Sequence, residues 1–382
     1  MKRMNFRTID FKHLGIRMQM ATFAANNGSR EWHIMLHVTP QDDLFCQQQE
    51  RLHAAEQEAM SLPELRGAIC ILKRYFVSDS TNQRPFMYAA DGVATDIIQQ
   101  QPLDGSKIAA WLYLQSHTHV KKCDGMVVAE RNGYRHLWCM GMTSCEGDSE
   151  QQTHDLLNAY ESILANQQAT LSENCIRTWF FVRDVDTQYA GLVKARRENF
   201  LQAGLTPSTH YIASTGIEGK PASQKALVQM GAYAVTGICP QQIQYLYAKT
   251  HLNPTYEYGV TFERGTALLF GDRKHIYISG TASIGHRGEV VHTGDIRRQT
   301  LRMWENVEAL LKEANAGFQD VMQMIVYLRD TADYQLVRRM FEERFPETPT
   351  VITLAPVCRP AWLIEMECIA VTPETHEEYA CF

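Results

Sequence analysis

The sequence predicts an α+β protein (an α/β sandwich) made of three tandem β-β-α-β-α-β units. Strand-like runs alternate with amphipathic helical runs, and the same order of elements recurs three times. A nearly constant spacing separates the start of the first helix of each unit from the aspartate that ends the next strand: 35, 34 and 34 residues. The pairs are Leu44 with Asp79, Glu150 with Asp184, and Ile296 with Asp330.

The third unit carries the clearest signals. Apolar residues recur at the spacing of one helical face after Ile296, and Gly271–Asp272 is a turn between two strand-like runs. The predicted elements are strands Thr266–Phe270 and His275–Ala282, helix Ile296–Glu313, strand Val321–Leu328, helix Asp333–Phe345 and strand Ala361–Val371.

The second unit repeats this order, and the first repeats it more faintly. Asn132–Gly133 and Asn27–Gly28 are favoured hairpin turns at matching places. In the second unit the predicted elements are strands Val127–Glu130 and His136–Met142, helix Gln151–Gln167, strand Thr178–Val182, helix Gln188–Gln202 and strand Ala226–Val235. In the first they are strands Met18–Ala25 and Trp32–Val38, helix Leu44–Met60, and strands Ala68–Val77 and Ile108–Leu114.

These elements divide the chain into four segments. Residues 1–120 form a degenerate unit, 121–240 a second unit, 241–257 a connector and 258–382 the third unit. Each unit has the size of a normal small domain. The competing interpretation is an ordinary multi-domain α/β chain whose regularity is accidental.

Composition excludes several classes of protein. The 382 residues carry 37 basic and 43 acidic side chains, a net charge of −6, which disfavours a protein that binds nucleic-acid backbone. No apolar run is long enough to span a membrane, and the N-terminus lacks the apolar core of a secretory signal. The ten cysteines are scattered without CxxC pairs, which favours reduced thiols and a cytoplasmic location.

The third unit resembles the YjgF/RidA family over nearly all of 258–371. The residues that carry the resemblance are 278–282 (ISGTA), 294–300 (GDIRRQT), 304–307 (WENV), 326–330 (VYLRD) and 364–370 (IEMECIA). The resemblance implies subunits of a chorismate-mutase-like fold that form trimers with ligand sites in the clefts between them. Three units in one chain then imply a covalent pseudo-trimer that acts as a monomer.

Within that superfamily, the sequence from about Cys175 onward is similar to the chorismatases. The similarity rests on 279–286 (SGTASIGH), Arg177-Thr178-Trp179 and Val357-Cys358-Arg359-Pro360 upstream of Glu365. It implies a hydrolase that splits chorismate into pyruvate and a cyclic acid.

Glu365 is the catalytic candidate. Strand alternation places it on the same face as Glu367, and a half-buried carboxyl beside a second carboxylate tends to have a raised pKa, as suits a general acid. From spacing alone, a structural or solvent-facing glutamate fits equally well, whereas the resemblance matches Glu365 to the chorismatase acid/base. Aligning the last strands predicts Gln229 at this position in the second unit and an apolar residue near Ala110 or Trp111 in the first.

The substrate-binding candidates are mostly polar residues that suit a dianion. Guanidinium groups bind carboxylates bidentately, although a surface ion pair is the usual role of any single arginine. The resemblance assigns substrate contacts to arginines and to a Tyr-x-Tyr motif, matched here by Tyr245-Leu246-Tyr247 within a longer stretch than in the family. Tyr211 is a weaker candidate, and the two hydroxyl residues are candidate hydrogen-bond donors, although small strand residues often serve packing alone. The candidates are Arg177, Tyr211, Tyr247, Arg264, Thr281, Ser283 and Arg359.

The predicted reaction is therefore cleavage of the enolpyruvyl ether of chorismate to pyruvate and a hydroxybenzoate or dihydroxycyclohexadiene carboxylate, without metal or cofactor. One alternative is a RidA-like enamine/imine deaminase, which the resemblance associates with an arginine fifteen residues before the glutamate. That position is Thr350 here, so the sequence argues against the deaminase. The other alternative is a non-catalytic small-ligand-binding protein of the same family, whose members are often labelled translation initiation inhibitors.

Overall fold

The computed structural model describes residues 4–87 and 90–382 and contains three six-stranded sheets. The three sheets share one strand order, which is β1-β2-β3-β6-β4-β5 in the first unit and its counterparts in the second and third. The predicted fold class, three repeated α+β units in one chain, is confirmed.

The first unit contains strands β1 to β6, one long helix and one short one. Its elements are β1 Met4–Phe11, β2 Ile16–Ala24, β3 Arg30–Val38, α1 Phe45–Met60, β4 Ala68–Val77, α2 Ser80–Gln83, β5 Ala94–Gln99 and β6 Ile108–Ser116. The second helix is a single turn because Pro85 follows directly, in a 3₁₀ turn at Arg84–Phe86.

The second and third units each contain two long helices. The second consists of β7 His119–Cys123, β8 Met126–Arg131, β9 Tyr134–Thr143, α3 Ser149–Asn166, α4 Leu171–Asn174, β10 Cys175–Val182, α5 Val185–Gln202, β11 Ala213–Glu218 and β12 Val228–Thr236. The third consists of β13 Ile243–Leu246, β14 Gly265–Leu269, β15 Arg273–Ala282, α6 Ile296–Glu313, β16 Val321–Leu328, α7 Tyr334–Arg344, β17 Thr350–Leu354 and β18 Ile364–Pro373.

Local sequence explains where these elements begin and turn. The side chains of Asp148 and Asp295 accept hydrogen bonds from backbone N–H groups in the first turns of α3 and α6, each at 3.0 Å, and so act as N-caps. Asn132 and Gly133 both have positive φ, as the predicted hairpin turn requires.

The structure adds two strands to each predicted unit. One is an N-terminal strand (β1, β7 or β13), and β13 lies within the predicted connector 241–257 as the edge of the third sheet. The other is a short strand (β5, β11 or β17) that runs parallel to the strand before the second helix. The parallel strands were not predicted because they are only five or six residues long.

The three units share one apolar core, and they meet around a buried polar network. Trp111, Trp179 and Tyr277, one from each unit, belong to the same cluster of buried side chains. No helix among the described residues is long and apolar enough to cross a lipid bilayer.

Arg74, from β4, is the first member of this network. It is fully buried, with Nη2 2.9 Å from Asp96 Oδ2 and Nη1 3.8 Å from Glu367 Oε1. Glu367 also accepts hydrogen bonds from Arg177 Nη2 at 2.9 Å and from Trp179 Nε1 at 2.8 Å. Each unit therefore contributes a charged or polar group to the centre of the molecule.

Candidate active site

A cavity of about 380 Å³ lies between the second and third units. Helix α5 and strand β11 supply one wall, and β15 and β18 supply the other. This volume is within the range of cavities that hold small organic ligands. The cavity is called the Glu365 cavity here because Glu365 lies at its wall.

Glu365 is 5% exposed, and its pKa is higher than that of an ordinary glutamate. Burial, and next the negative charge of Glu367, raise its pKa to about 8, although Arg177 and Arg264 act in the opposite direction. The carboxyl group is therefore mainly protonated at neutral pH. A Cβ at position 280 would collide with Glu365 Oε1, so Gly280 is the residue that allows this close approach.

Five cationic side chains line the same cavity. Arg264 is 4% exposed and donates from Nη2 to the Asn253 carbonyl oxygen at 3.1 Å, and Arg359 donates to the Gly288 carbonyl oxygen at 2.9 Å. The others come from α5 and are Lys194, Arg196 and Arg197. Since a single carboxyl group, itself mainly protonated, stands against five cations in the lining, the cavity attracts anions.

An aromatic surface accompanies these charges. The guanidinium carbon of Arg359 lies 4.7 Å from the centre of the Trp362 ring, and that of Arg264 lies 5.5 Å from the Phe262 ring. Such contacts hold the guanidinium planes in fixed orientations. The cavity can therefore bind a small molecule that is both anionic and partly apolar.

The structure brings three of the predicted site residues together in this cavity: Glu365, Arg264 and Arg359. Arg177 lies behind the cavity wall, where it donates to Thr215 Oγ1 and to Glu367. It thus acts on Glu365 through its charge and through Glu367 rather than from the cavity lining.

The two predicted tyrosines line a much smaller neighbouring cavity, which shares Arg264 with the Glu365 cavity. Burial raises the pKa of Tyr247 to about 12 and also raises that of Tyr211. Both phenols are therefore protonated at neutral pH. The backbone N–H of Tyr211 donates to Glu263 at 2.7 Å, which fixes this segment against the start of β14.

The two predicted hydroxyl residues are directed to backbone groups. Thr281 Oγ1 donates to the Ser279 carbonyl oxygen at 2.9 Å, and Ser283 Oγ donates to the Val291 carbonyl oxygen at 2.8 Å. Neither side chain lines the Glu365 cavity, whereas their neighbours Gly280 and Ala282 do.

Strand pairing identifies the residues equivalent to Glu365 in the other units. The last residue of β16, Leu328, pairs with Ile364, and Glu365 comes next on β18. In the same way the last residue of β10, Val182, pairs with Val228, and Gln229 comes next on β12. The prediction of Gln229 therefore agrees with the register. In the first unit the equivalent residue is Ala109, an apolar residue next to the predicted Ala110. Counting along the last strand alone could not give the exact position, because the register of β6 is set by its pairing with β4.

The three α5 cations were not predicted from the sequence. They form the run Lys194-Ala195-Arg196-Arg197 in the second unit, and no local pattern connects this run to Glu365 in the third. Arg196 is 1% exposed, with Nε 3.3 Å from Thr261 Oγ1, so it is held in place rather than solvated. Three cations within four residues, on a helix that must bury one face, were the sequence signal that could have indicated a binding site for an anion.

One group of side chains among the described residues has the spacing of metal ligands, namely Glu150, His154 and Glu198 on α3 and α5. The Lys194 ammonium group donates to Glu150 at 2.7 Å, so a cation from the chain already neutralises part of this group. The group is partly exposed and lies outside the lining of the Glu365 cavity.

Comparison with known proteins gives a family for the third unit. A profile of the family described as Endoribonuclease L-PSP matches residues 270–372. A RutC family protein of Pyrococcus abyssi is 39% identical over 98 residues, which are 25% of this chain and 76% of that protein. The 3-aminoacrylate deaminase RutC of Acinetobacter baylyi is 35% identical over 72 residues, which are 19% of this chain and 57% of that protein.

One solved structure is similar over most of the chain. A crystal structure of a chorismatase aligns with a TM-score of 0.63 at 19% identity and covers 81% of this chain and 96% of that chain. At this identity the likeness concerns the fold, and it includes all three units. The chain therefore belongs to the Endoribonuclease L-PSP family, in the YjgF/RidA superfamily, and has the three-unit fold of the solved chorismatase.

Proposed function

We propose that the protein is a chorismatase-like hydrolase that cleaves the enolpyruvyl ether of chorismate to pyruvate and a hydroxybenzoate or dihydroxycyclohexadiene carboxylate. The observation that carries this proposal is a buried, mainly protonated Glu365 in a cavity lined by five cations. A proton donor next to an anion-binding surface is what the cleavage of an acid-labile, dianionic ether requires. The three-unit fold shared with a chorismatase supports the same reaction class.

Binding is assigned to the arginines and the aromatic wall. Arg264 and Arg359 belong to the third unit and Arg196 to the second, so guanidinium groups approach the cavity from both sides. The carboxylate on the ring and the carboxylate of the enolpyruvyl group can then be bound at separate places while the ring packs against Phe262 and Trp362. This arrangement favours a cyclic dicarboxylate over a small monoanion.

The chemistry begins with proton transfer from Glu365 to the methylene carbon of the enolpyruvyl group. The electron pair of the C=C bond forms the new C–H bond, and the adjacent carbon becomes an oxocarbenium-like centre. Water attacks this centre and gives its proton to the Glu365 carboxylate, and the hemiketal then collapses to pyruvate and the ring alcohol. In the second route the bond between the ring carbon and the ether oxygen of the oxocarbenium-like ion breaks and releases pyruvate. The neighbouring ring carbon then loses its proton to the Glu365 carboxylate, which gives the hydroxybenzoate. Neither route needs a redox step or a metal.

The raised pKa of Glu365 serves the first step. A carboxyl group with an ordinary pKa would be ionised at pH 7 and could not donate a proton, whereas a pKa of about 8 keeps it protonated. The carboxylate left after transfer lies near Arg264 and Arg177, whose charges stabilise it. Burial and the neighbouring charges thus set the pKa of Glu365 near neutral pH, where the group can act first as an acid and then as a base.

The alternative activity is that of the 3-aminoacrylate deaminase relative. The expected arginine position, Thr350, lines a different cavity, between the third and first units. Strand pairing shows that its equivalent in the Glu365 cavity is Ser214. Neither residue is cationic, which argues against the deaminase. A non-catalytic ligand-binding role does not account for a proton donor in the cavity.

The test is direct. Purified full-length protein is incubated with chorismate, and pyruvate is followed by coupling to lactate dehydrogenase, while 3-aminoacrylate hydrolysis is measured in parallel. We expect pyruvate release far above the uncatalysed rate. Turnover of 3-aminoacrylate without pyruvate release would replace this proposal with the deaminase, and inactivity in both assays would leave ligand binding as the function.

We also propose that the protein acts as a monomer in the cytoplasm on a small anionic substrate, without cofactor or nucleic-acid partner. Each cleft is already completed by a neighbouring unit of the same chain. Size-exclusion chromatography with light scattering should give the mass of one chain, 43.6 kDa. A stable trimer would contradict the monomer.

A further inference from the structure

A second open cavity, of about 620 Å³, lies between the third and first units. Helix α7 and strand β17 stand where α5 and β11 stand in the Glu365 cavity, and β2 and β3 supply the opposite wall. The cavity is called the His37 cleft here. It shares no lining residue with the Glu365 cavity.

The His37 cleft carries different chemistry at equivalent positions. Ala109 stands where Glu365 stands, so the proton donor is absent from this register position. Strand pairing also places Gln19 at the position of Arg264 and His37 at the position of Ala282. The cleft is therefore built from equivalent elements but has no carboxyl group at the position of Glu365.

The hydrogen bonds around His37 define its tautomer. His37 Nε2 lies 3.0 Å from Gln19 Oε1, and the same oxygen accepts the backbone N–H of Thr350 at 3.3 Å. Because this amide oxygen can only accept, the network assigns the imidazole proton to Nε2. Burial lowers the pKa of His37 despite the neighbouring Asp104, so the ring is neutral and Nδ1 presents a lone pair.

Two acceptors therefore face each other without a proton between them. His37 Nδ1 lies 3.9 Å from Asp104 Oδ2, which is too far for a direct hydrogen bond. Asp104 is held in place because its other oxygen accepts from the N–H and the hydroxyl of Ser106, at 2.9 and 2.6 Å. A group that bridges both acceptors must supply two protons, and a positive charge on it would also neutralise Asp104.

The rest of the cleft supplies complementary groups. Arg17 is exposed on the wall and forms no ion pair within the described part of the chain, so its guanidinium group is available to a carboxylate. Arg338 lies on the opposite wall but already pairs with Glu342 at 3.4 Å. Phe341 and Phe345 form an apolar part of the lining.

We propose that the His37 cleft binds a small zwitterionic amino acid with an apolar side chain. Its ammonium group bridges His37 Nδ1 and Asp104 Oδ2, its carboxylate pairs with Arg17, and its side chain packs against Phe341 and Phe345. The site is non-catalytic because the position of the proton donor is Ala109.

The test measures binding of L-phenylalanine to the full-length protein by isothermal titration calorimetry. Two probes each remove one charged group: 3-phenylpropionate lacks the ammonium group, and 2-phenylethylamine lacks the carboxylate. We expect saturable binding of L-phenylalanine and at least about tenfold weaker binding of both probes. L-Phenyllactate, which has a hydroxyl group in place of the ammonium group, should also bind at least about tenfold more weakly.

Variants locate the site. Asp104→Asn keeps the acceptor for Ser106 and removes the charge, so the fold is retained, and both this change and Arg17→Ala should weaken binding at least about tenfold. Arg66→Ala, an exposed arginine away from both cavities, and Arg264→Ala should leave the affinity unchanged. The proposal is overturned if no saturable binding occurs, if phenyllactate binds equally well, or if Arg264→Ala weakens binding and Arg17→Ala does not. Pyruvate release from chorismate is a separate readout, so failure of either proposal can be recognised by itself.

Discussion

The Glu365 cavity and the His37 cleft are built from equivalent strands and helices, yet they differ in the charged and titratable side chains that line them. The first has a buried acid surrounded by cations, and the second has a neutral histidine opposite an aspartate. The shared backbone arrangement therefore forms a cavity in both places, and a few side chains at fixed register positions determine what each cavity can bind or catalyse. Because the units are covalently joined, each cleft can change independently, which identical subunits cannot do.

The interface between the first and second units has a third arrangement at the register position of Glu365. The Gln229 amide donates to Asp96 Oδ1 at 3.3 Å and to the Ile97 carbonyl oxygen at 3.4 Å, so the register position of the acid is tied to the neighbouring unit. Helix α2, the counterpart of α5 and α7, is only one turn long. This register position thus holds a glutamate in one interface, a hydrogen-bonded glutamine in another and an alanine in the third.

The largest expected effect is that of Glu365→Gln on pyruvate release from chorismate. The amide keeps the size of the side chain but cannot donate a proton to carbon, so kcat/KM should fall on the order of 10³-fold. The coupled lactate dehydrogenase assay measures this directly. Glu305→Gln, a matched change on the exposed face of α6, should leave the rate unchanged, and an active Glu365→Gln protein would remove the acid from the mechanism.

The central network should respond to Arg74→Leu through stability. This change leaves the buried Asp96 and Glu367 without their shared cation, so the free energy of unfolding should fall by about 3–5 kcal/mol. Urea unfolding followed by circular dichroism gives the value.

An exposed arginine is the matched control for this stability change. Arg66→Leu should change the free energy of unfolding by less than about 0.5 kcal/mol. Equal stability of the Arg74→Leu protein and the wild type would mean that the three units are held together by their apolar core alone.

Arg264 and Gln19 occupy equivalent positions and give a paired test of the two cavities. Arg264→Ala should raise the KM for chorismate about 10- to 100-fold, because a buried guanidinium contact to a carboxylate is lost. Gln19→Ala removes the partner of His37 and Thr350 and should leave chorismate kinetics unchanged. Equal effects of both changes on KM would show that chorismate is not confined to the Glu365 cavity.

How much of this could be predicted from the sequence depends on how far apart the interacting residues lie in the chain. The three units, their long helices and the motif residues Glu365, Arg264 and Arg359 could be predicted, because each depends on a local pattern or a local resemblance. The α5 cations could not, because they reach Glu365 only through packing of the second unit on the third.

Local patterns also fail where an element is short or a register is set by a partner. The parallel strands β5, β11 and β17 are too short to show a clear period of two. Arg177 matched a binding motif, but its partner Glu367 lies on a strand of another unit, which directs the side chain into the centre of the molecule. Pairing between distant strands is a tertiary property, and it determined which predicted residues share a cavity.

The smallest expected effect is the pH dependence of the Glu365 cavity. Because the proposed mechanism needs a protonated Glu365 and its pKa is about 8, kcat/KM should be constant near neutral pH and fall about tenfold per pH unit above about 8. Binding to the His37 cleft involves a different set of groups and should not follow this profile. A fall in rate that begins near pH 5 would show that the working acid has an ordinary carboxyl pKa.

Stability gives an independent check of the same ionisation. The unfolded chain ionises Glu365 near its ordinary value of 4.5, whereas the folded protein keeps the proton up to about 8. Between these values the folded state binds more protons than the unfolded state, so this group lowers the free energy of unfolding as pH rises. Glu365→Gln removes that term, and the melting temperature of the variant should therefore exceed that of the wild type by a margin that widens from pH 5 to pH 8. A margin that stays constant with pH would mean that burial does not raise the pKa of Glu365, and the acid that protonates the ether would then have to be another group in the cavity.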